Sequence, residues 1–177
     1  MMTILATVDD SSASHEVLPV VRKLAKSMGA RVILLTVRES AEATPRRRPA
    51  GPVGPITAVG LTGTGLIGAE VQAPAPGWAE TRDQAVERAA AEGRDLLAAL
   101  AEPIEKEGIK VEKQVVIAED PVAVIIDAAR RENVDLIAMA THGRSALASV
   151  IQGSVAAAVL RSGVAPTLLV RPKALKG

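Results

Sequence analysis

The chain has 177 residues, 48% of them apolar, and its acidic and basic side chains nearly cancel to leave a formal charge of +1. That length predicts one substantial core and a single domain over 1–177, and the near-neutral balance supplies no global field to recruit DNA, RNA or an acidic membrane. The lack of cysteine excludes disulfides, thiolate metal sites and cysteine nucleophiles together, and the lack of Phe and Tyr, with Trp78 the sole aromatic residue, leaves no stacking platform for single-stranded nucleic acid.

The opening stretch Met1 to Asp10 carries no basic n-region, and the apolar run Ile4 to Val8 is too short for a signal peptide or a membrane span. A cytoplasmic protein without a membrane partner is expected. Thr3 to Val8 reads as a β-branched strand halted by Asp9-Asp10-Ser11-Ser12, a cluster that stops a strand and caps a helix. From Ser12 to Met28 the residues Val17, Leu18, Val21, Leu24, Ala25 and Met28 recur at helical spacing, with Gly29 in the place of a C-terminal cap. Pro19 has no amide to bond to the His15 carbonyl, so a kink or a late helix start is expected there.

Arg31 to Val37 is a second buried strand by its continuous aliphatic content. A long Pro- and Gly-rich loop follows at about 38–80, containing Arg46-Arg47-Arg48, and a loop of that length in a compact domain is usually functional or disordered. Within it Gly63-Thr64-Gly65-Leu66-Ile67-Gly68 matches the dinucleotide fingerprint letter for letter. Its context is wrong, because Pro74 and Pro76 forbid the helix that must begin at the last glycine; a hairpin or lid near a ligand is the better reading. The three arginines read as a solvated segment.

Thr81-Arg82-Asp83-Gln84 has the form of a capping box, and Ala85, Val86, Ala89, Ala90, Leu96, Leu97, Leu100 and Ile104 then trace one long amphipathic helix ending near Gly108. Val111 to Ile117 is a third strand. Asp120-Pro121 supplies an N-cap and a first-turn proline for a helix with Val122, Ile125, Ile126 and Ala129 on one face. Asp135 to Ala140 is the fourth strand, Ser154 to Arg161 a short Ala-rich helix, and Thr167 to Arg171 the fifth strand. Alternating strands and helices, with strands apolar on both faces, predict a doubly wound α/β fold on a parallel sheet.

In such a sheet ligands bind beyond the carboxyl ends of the strands. The informative exit is the one after strand four, from Thr141-His142-Gly143-Arg144-Ser145 to Gly153-Ser154. Gly143 permits close approach of backbone amides to an anion, and Gly153-Ser154 opens a helix whose unpaired amides and dipole favour polyphosphate, with Arg144 able to add charge-assisted bonds. The alternative is a plain turn at Gly143 and a plain cap at Ser154. His142 has no carboxylate partner visible in the sequence, and His15 reads as a helix-surface residue. No GxxxxGK[ST] loop, zinc-hydrolase His/Glu pair or G-x-S-x-G elbow occurs.

The run Ala140-Thr141-His142-Gly143, nine residues, then Gly153-Ser154 resembles the nucleotide motif of the universal stress protein family: Gly, two residues, Gly, nine residues, Gly, then Ser or Thr. Val8-Asp9-Asp10-Ser11 after strand one, strand two itself, and the ending Ala165-Pro166-Thr167-Leu168-Leu169-Val170 agree with it. One position departs, since Ala140 stands where the family has its first glycine; a methyl group is tolerated there if the backbone is not left-handed.

The resemblance implies a Rossmann-like five-stranded parallel sheet in the order 3-2-1-4-5 and an ATP-binding stress or signalling module, with AMP, ADP or cAMP as ligand variants and Mg²⁺ carried on the phosphates. It implies that Asp9 and the Val37 backbone receive the ribose and adenine, with Thr7 lining the pocket, and that Ala140, Gly143, Arg144, Ser145, Gly153, Ser154 and Val155 hold ribose and phosphates. From the residues alone a plain helix cap is the alternative for Asp9, and Val37 is core. No catalytic residue is expected; a slow ATPase or nucleotidyl or phosphoryl transferase, and a nucleotide-independent interaction protein, are the alternatives. Members of the family commonly pair through the last strand, so Thr167 to Arg171 is the expected homodimer edge.

Overall fold

Aliphatic side chains at odd and even positions alike let the strands bury both faces, and the helices divide between those faces accordingly. The computed structural model describes residues 1–38, 82–141 and 154–172. In chain order the elements are β1 (Thr3–Thr7), α1 (Ser12–His15), α2 (Leu18–Met28), β2 (Arg31–Arg38), α3 (Arg82–Glu105), β3 (Val111–Ile117), α4 (Pro121–Arg131), β4 (Leu136–Ala140), α5 (Ser154–Ser162) and β5 (Thr167–Val170). All strand pairs are parallel and the sheet order is β3-β2-β1-β4-β5, the order expected.

Ile4, Ala6, Val32, Leu34 and Ala138 face α2 and α3, where Val21, Ala25, Leu97, Ala101 and Ile104 meet them. Leu5, Ile33, Leu35, Ile137 and Met139 face α4 and α5, packing on Ile125, Ala128, Ala129, Ala156 and Val159. This period-two split puts a core on each side of the sheet. Each fully buried Leu or Ile contributes about 1.5–3 kcal/mol, so aliphatic residues fill both cores without aromatic bulk.

The helix expected over Ser12 to Met28 is divided in two. Ser11 caps α1, its hydroxyl accepting from Ser14 N–H at 3.2 Å. The chain then restarts at Val17, whose carbonyl accepts from Val20 and Val21 at 3.2 and 3.0 Å. Pro19 falls in the first turn of α2, where its missing amide costs nothing. Gly29 ends α2 at φ 60°, ψ 35°, the left-handed cap that glycine adopts without strain.

The long helix α3 lies close on β2 and β3 through Gly93, a residue absent from the expected apolar face. An added Cβ there would stand 2.6 Å from Val115 Cγ1. Asp120 caps α4 as expected, accepting from Val122 and Ala123 amides at 2.9 and 3.1 Å, with Pro121 behind it. The capping box at Thr81, Trp78, the 39–80 loop with its GxGxxG run and triple arginine, and 142–153 lie outside the described residues. Among the described residues, no helix is long and apolar enough to cross a membrane.

At the amino ends of the strands Arg31 joins several elements. Its Nε donates to Thr3 Oγ1 at 3.0 Å, and its terminal nitrogens reach Glu112 and Glu132, each at 3.3 Å. The Arg131 hydrogen bond holds the Glu132 carboxyl below its ordinary value; Arg31 adds to this, and partial burial opposes it. This polar end is structural, and it leaves the carboxyl ends of the strands for a ligand.

Candidate functional site

A cleft of about 240 Å³ opens at the carboxyl ends of β1, β2 and β4, where β1 and β4 part toward helices on opposite faces. Thr7 lines it from the end of β1 with Val8 and Asp9 from the turn that follows, Leu35 and Val37 from β2, and Met139 and Ala140 from β4. Pro121 and Ile125 of α4 and Val155 and Ala156 of α5 close its sides. Most of this lining is aliphatic, and Asp9 is the one carboxylate among the described lining residues.

The backbone of β2 gives the cleft its polar edge. Odd residues of β2 direct their backbone groups at β1: Arg31 N–H donates to Met2 carbonyl at 2.9 Å and Leu35 carbonyl accepts from Val8 N–H at 3.0 Å. Even residues face β3, as Val32 N–H donates to Lys110 carbonyl and Arg38 carbonyl accepts from Ala118 N–H, each at 2.9 Å. Val37 is therefore turned toward β1, but the β1–β2 register ends at Thr7 and Leu35 and the chain leaves the sheet after Val8. The Val37 N–H and carbonyl extend past the last β1 partner, side by side, above the apolar floor. Such a donor and acceptor pair can read the edge of a planar heterocycle.

Asp9 stands at the turn out of β1. Its Oδ1 accepts from Ser11 N–H at 2.8 Å, so it shapes an Asx turn while Ser11 performs the helix capping. The Asp9 backbone is held by buried Ser14, whose Oγ accepts from Asp9 N–H at 3.0 Å. That hydroxyl also lies 3.0 Å from the Asp9 carbonyl and 2.9 Å from the Ser11 carbonyl, with one proton to donate between them. His15, half-buried and not simply at the helix surface, brings Nε2 to 2.8 Å from the Asp9 carbonyl, which fixes the proton on that nitrogen.

Of the residues singled out in the sequence, Thr7, Asp9, Val37, Ala140 and Val155 come together in the cleft. Ser154 opens α5, whose first turn borders it. Gly143, Arg144, Ser145 and Gly153 lie outside the described residues. Ala140 ends β4 paired with Val170, and it is not among the positive-φ residues, so its methyl group introduces no backbone strain. Ser14, Pro121, Ile125 and Met139 were missed. Ser14 falls within the helix expected over Ser12 to Met28, Pro121 carries only its first-turn role in the sequence, and Ile125 and Met139 stand as apolar positions of a helix and a strand.

The universal stress protein family model matches residues 68–171, more than half of the chain. The chain belongs to the universal stress protein family. A search of the curated proteins finds no match. Among solved structures, a universal stress protein family member from Burkholderia pseudomallei is similar at TM-score 0.63 and 22% identity, over 97% of this chain and 96% of that one. A universal stress protein in complex with cAMP is similar at TM-score 0.59 and 17% identity, over 96% of each chain. The universal stress protein from Archaeoglobus fulgidus in complex with dAMP is similar at TM-score 0.57 and 17% identity, over 96% of this chain and 97% of that one. At these identities the likeness speaks for the fold.

Proposed function

We propose that the cleft binds an adenine nucleotide, ATP foremost with cAMP, AMP and ADP as variants, and that the chain serves as a nucleotide-responsive stress or signalling module. The observation that carries this reading is the Val37 backbone, a donor and an acceptor projecting beyond β1 over an aliphatic floor. Adenine offers N1 as acceptor and its 6-amino group as donor, the complement of that pair; guanine offers N1–H and O6, which would meet it like against like. The cAMP and dAMP complexes of fold relatives support the same ligand class.

In this reading Asp9 accepts from the ribose hydroxyls, and Thr7, Ala140 and Val155 line the nucleoside. Gly143, Arg144, Ser145, Gly153 and Ser154 hold the phosphates, on which Mg²⁺ would travel. No cluster of three or more His, Asp or Glu side chains forms a metal site among the described residues, so the ion's protein ligands are not assigned. The module is a binder and not a dedicated catalyst. Occupancy would act through a homodimer formed along β5, an outer strand whose residues are all half-buried.

Mass spectrometry of nucleotide released from the denatured purified protein, with calorimetry using ATP and cAMP, tests the reading. Adenine nucleotide in the released fraction, or measurable heat, is expected. No occupancy and no heat at millimolar nucleotide would overturn it. Light scattering tests the pairing, which a monomer would contradict.

A further inference from the structure

Two residues that bracket the proposed nucleoside contacts are joined behind the sheet. Arg38, next to Val37, directs Nη1 and Nη2 to Asp10 Oδ2 and Oδ1 at 2.7 and 2.9 Å, a bidentate fork with the residue next to Asp9. Thr36, on the same face of β2, meets α3 near Gly93, and Arg38 Nη1 lies 3.9 Å from Glu92 of α3. The fork is therefore on the α3 side, opposite the cleft. Past the Val8 to Leu35 bond it continues the link between the end of β1 and the end of β2.

Arg38 is held there at a cost. Its side chain is 15% exposed while Asp10 is 68% exposed, and its Nε is buried without a hydrogen-bond partner. An unsatisfied buried donor opposes folding, so the guanidinium is a poor device for stability alone. It is a good device for geometry, because a planar fork fixes both distance and orientation where an ammonium fixes neither.

We propose that the Arg38–Asp10 fork positions the nucleoside pocket: it sets the β1–α1 turn against the end of β2 and so fixes the separation of Asp9 from the Val37 backbone. Both are positioning residues. The inference rests on the adenine-nucleotide reading above, and it adds a route by which α3, through Glu92, bears on the cleft from the opposite face.

The test is a double-mutant cycle with Arg38→Met and Asp10→Ala, reading the Kd for phosphate-free adenosine by calorimetry and Tm on the same samples. Arg38→Met removes the orphaned Nε while keeping the aliphatic stem, so Tm should change little. Adenosine Kd should rise about five- to tenfold in each single variant and no further in the double, as for two groups acting as one unit. Arg38→Lys, which keeps the charge but not the fork, should fall between wild type and Arg38→Met. Wild-type affinity in the single variants, or additive losses in the double, would overturn the proposal while leaving adenine-nucleotide binding intact. Failure of the unaltered chain to bind adenosine and ATP alike would overturn both.

Discussion

Val8 donates its amide to the Leu35 carbonyl at 3.0 Å, and among the described residues this is the last backbone bond between the first two strands. Two residues further along β2, Val37 has the same orientation and lies past the last paired residue of β1, with β3 on its other side. Base selectivity follows. ATP should displace a fluorescent adenine nucleotide at least about tenfold more effectively than GTP, because each mismatched polar contact at a dry site costs about 1–3 kcal/mol. Equal displacement by the two would mean that Val37 does not read the base.

Ser14 holds the Asp9 turn from beneath, accepting from the Asp9 amide and able to donate to the Asp9 or Ser11 carbonyl. Ser14→Ala leaves these half-buried backbone groups without that partner, so unfolding free energy should fall by about 0.5–1.5 kcal/mol, the net worth of an ordinary hydrogen bond. Nucleotide affinity should fall as well, since Asp9 loses its mooring. Urea titration and calorimetry on one preparation measure both effects.

Gly93 is a packing glycine. Alanine would gain about 0.5–1 kcal/mol of helix preference, but its Cβ would meet Val115 Cγ1 at 2.6 Å and Cγ2 at 3.3 Å. Overpacking of this kind costs about 1–3 kcal/mol, so Gly93→Ala should destabilise the fold. The loss should shrink in a Val115→Ala background, where the contact is absent, and denaturant midpoints for the four proteins would show it.

Glu132 gives a pH dependence. Arg131 chiefly, with Arg31, holds its folded carboxyl below the ordinary 4.5. Its contribution is therefore complete above that unfolded value and disappears as pH falls through the lower folded one. Glu132→Gln should lower stability modestly near neutrality, where the contribution is complete, change little at the acid end, where it is already lost, and so flatten the loss below about pH 4.5. Thermal melts across pH 3 to 7 would reveal an unaltered slope if the pairing were without effect.

The fold was legible because its signals are local. Aliphatic runs marked β1, β2, β4 and β5, while β3 carries Glu112, Lys113 and Gln114 before its Val115-Val116-Ile117 run, and Asp120-Pro121 and Gly29 marked helix ends through cap chemistry that depends on adjacent residues. Pro19 announced a break, although its position as the start of a second helix depended on where Val17 could supply a free carbonyl. The site was legible in part. Asp9 and Ala140 stand at strand ends and could be placed by order alone. Val37 carried no chemical sign, since the role proposed for it rests on a backbone whose neighbour β1 ends early, and that is a property of register. Gly93 and the Arg38–Asp10 fork were invisible for the same reason, being contacts across 22 and 28 positions of sequence.

The most direct test follows the Val37 amide itself. In ¹⁵N-labelled protein, saturation with ATP should shift the Val37 resonance strongly downfield as its N–H takes a hydrogen bond to the base, and adenosine alone should reproduce the shift. GTP should leave that resonance in place. A Val37 amide that stays unmoved at saturating ATP, or moves equally with GTP, would contradict the account.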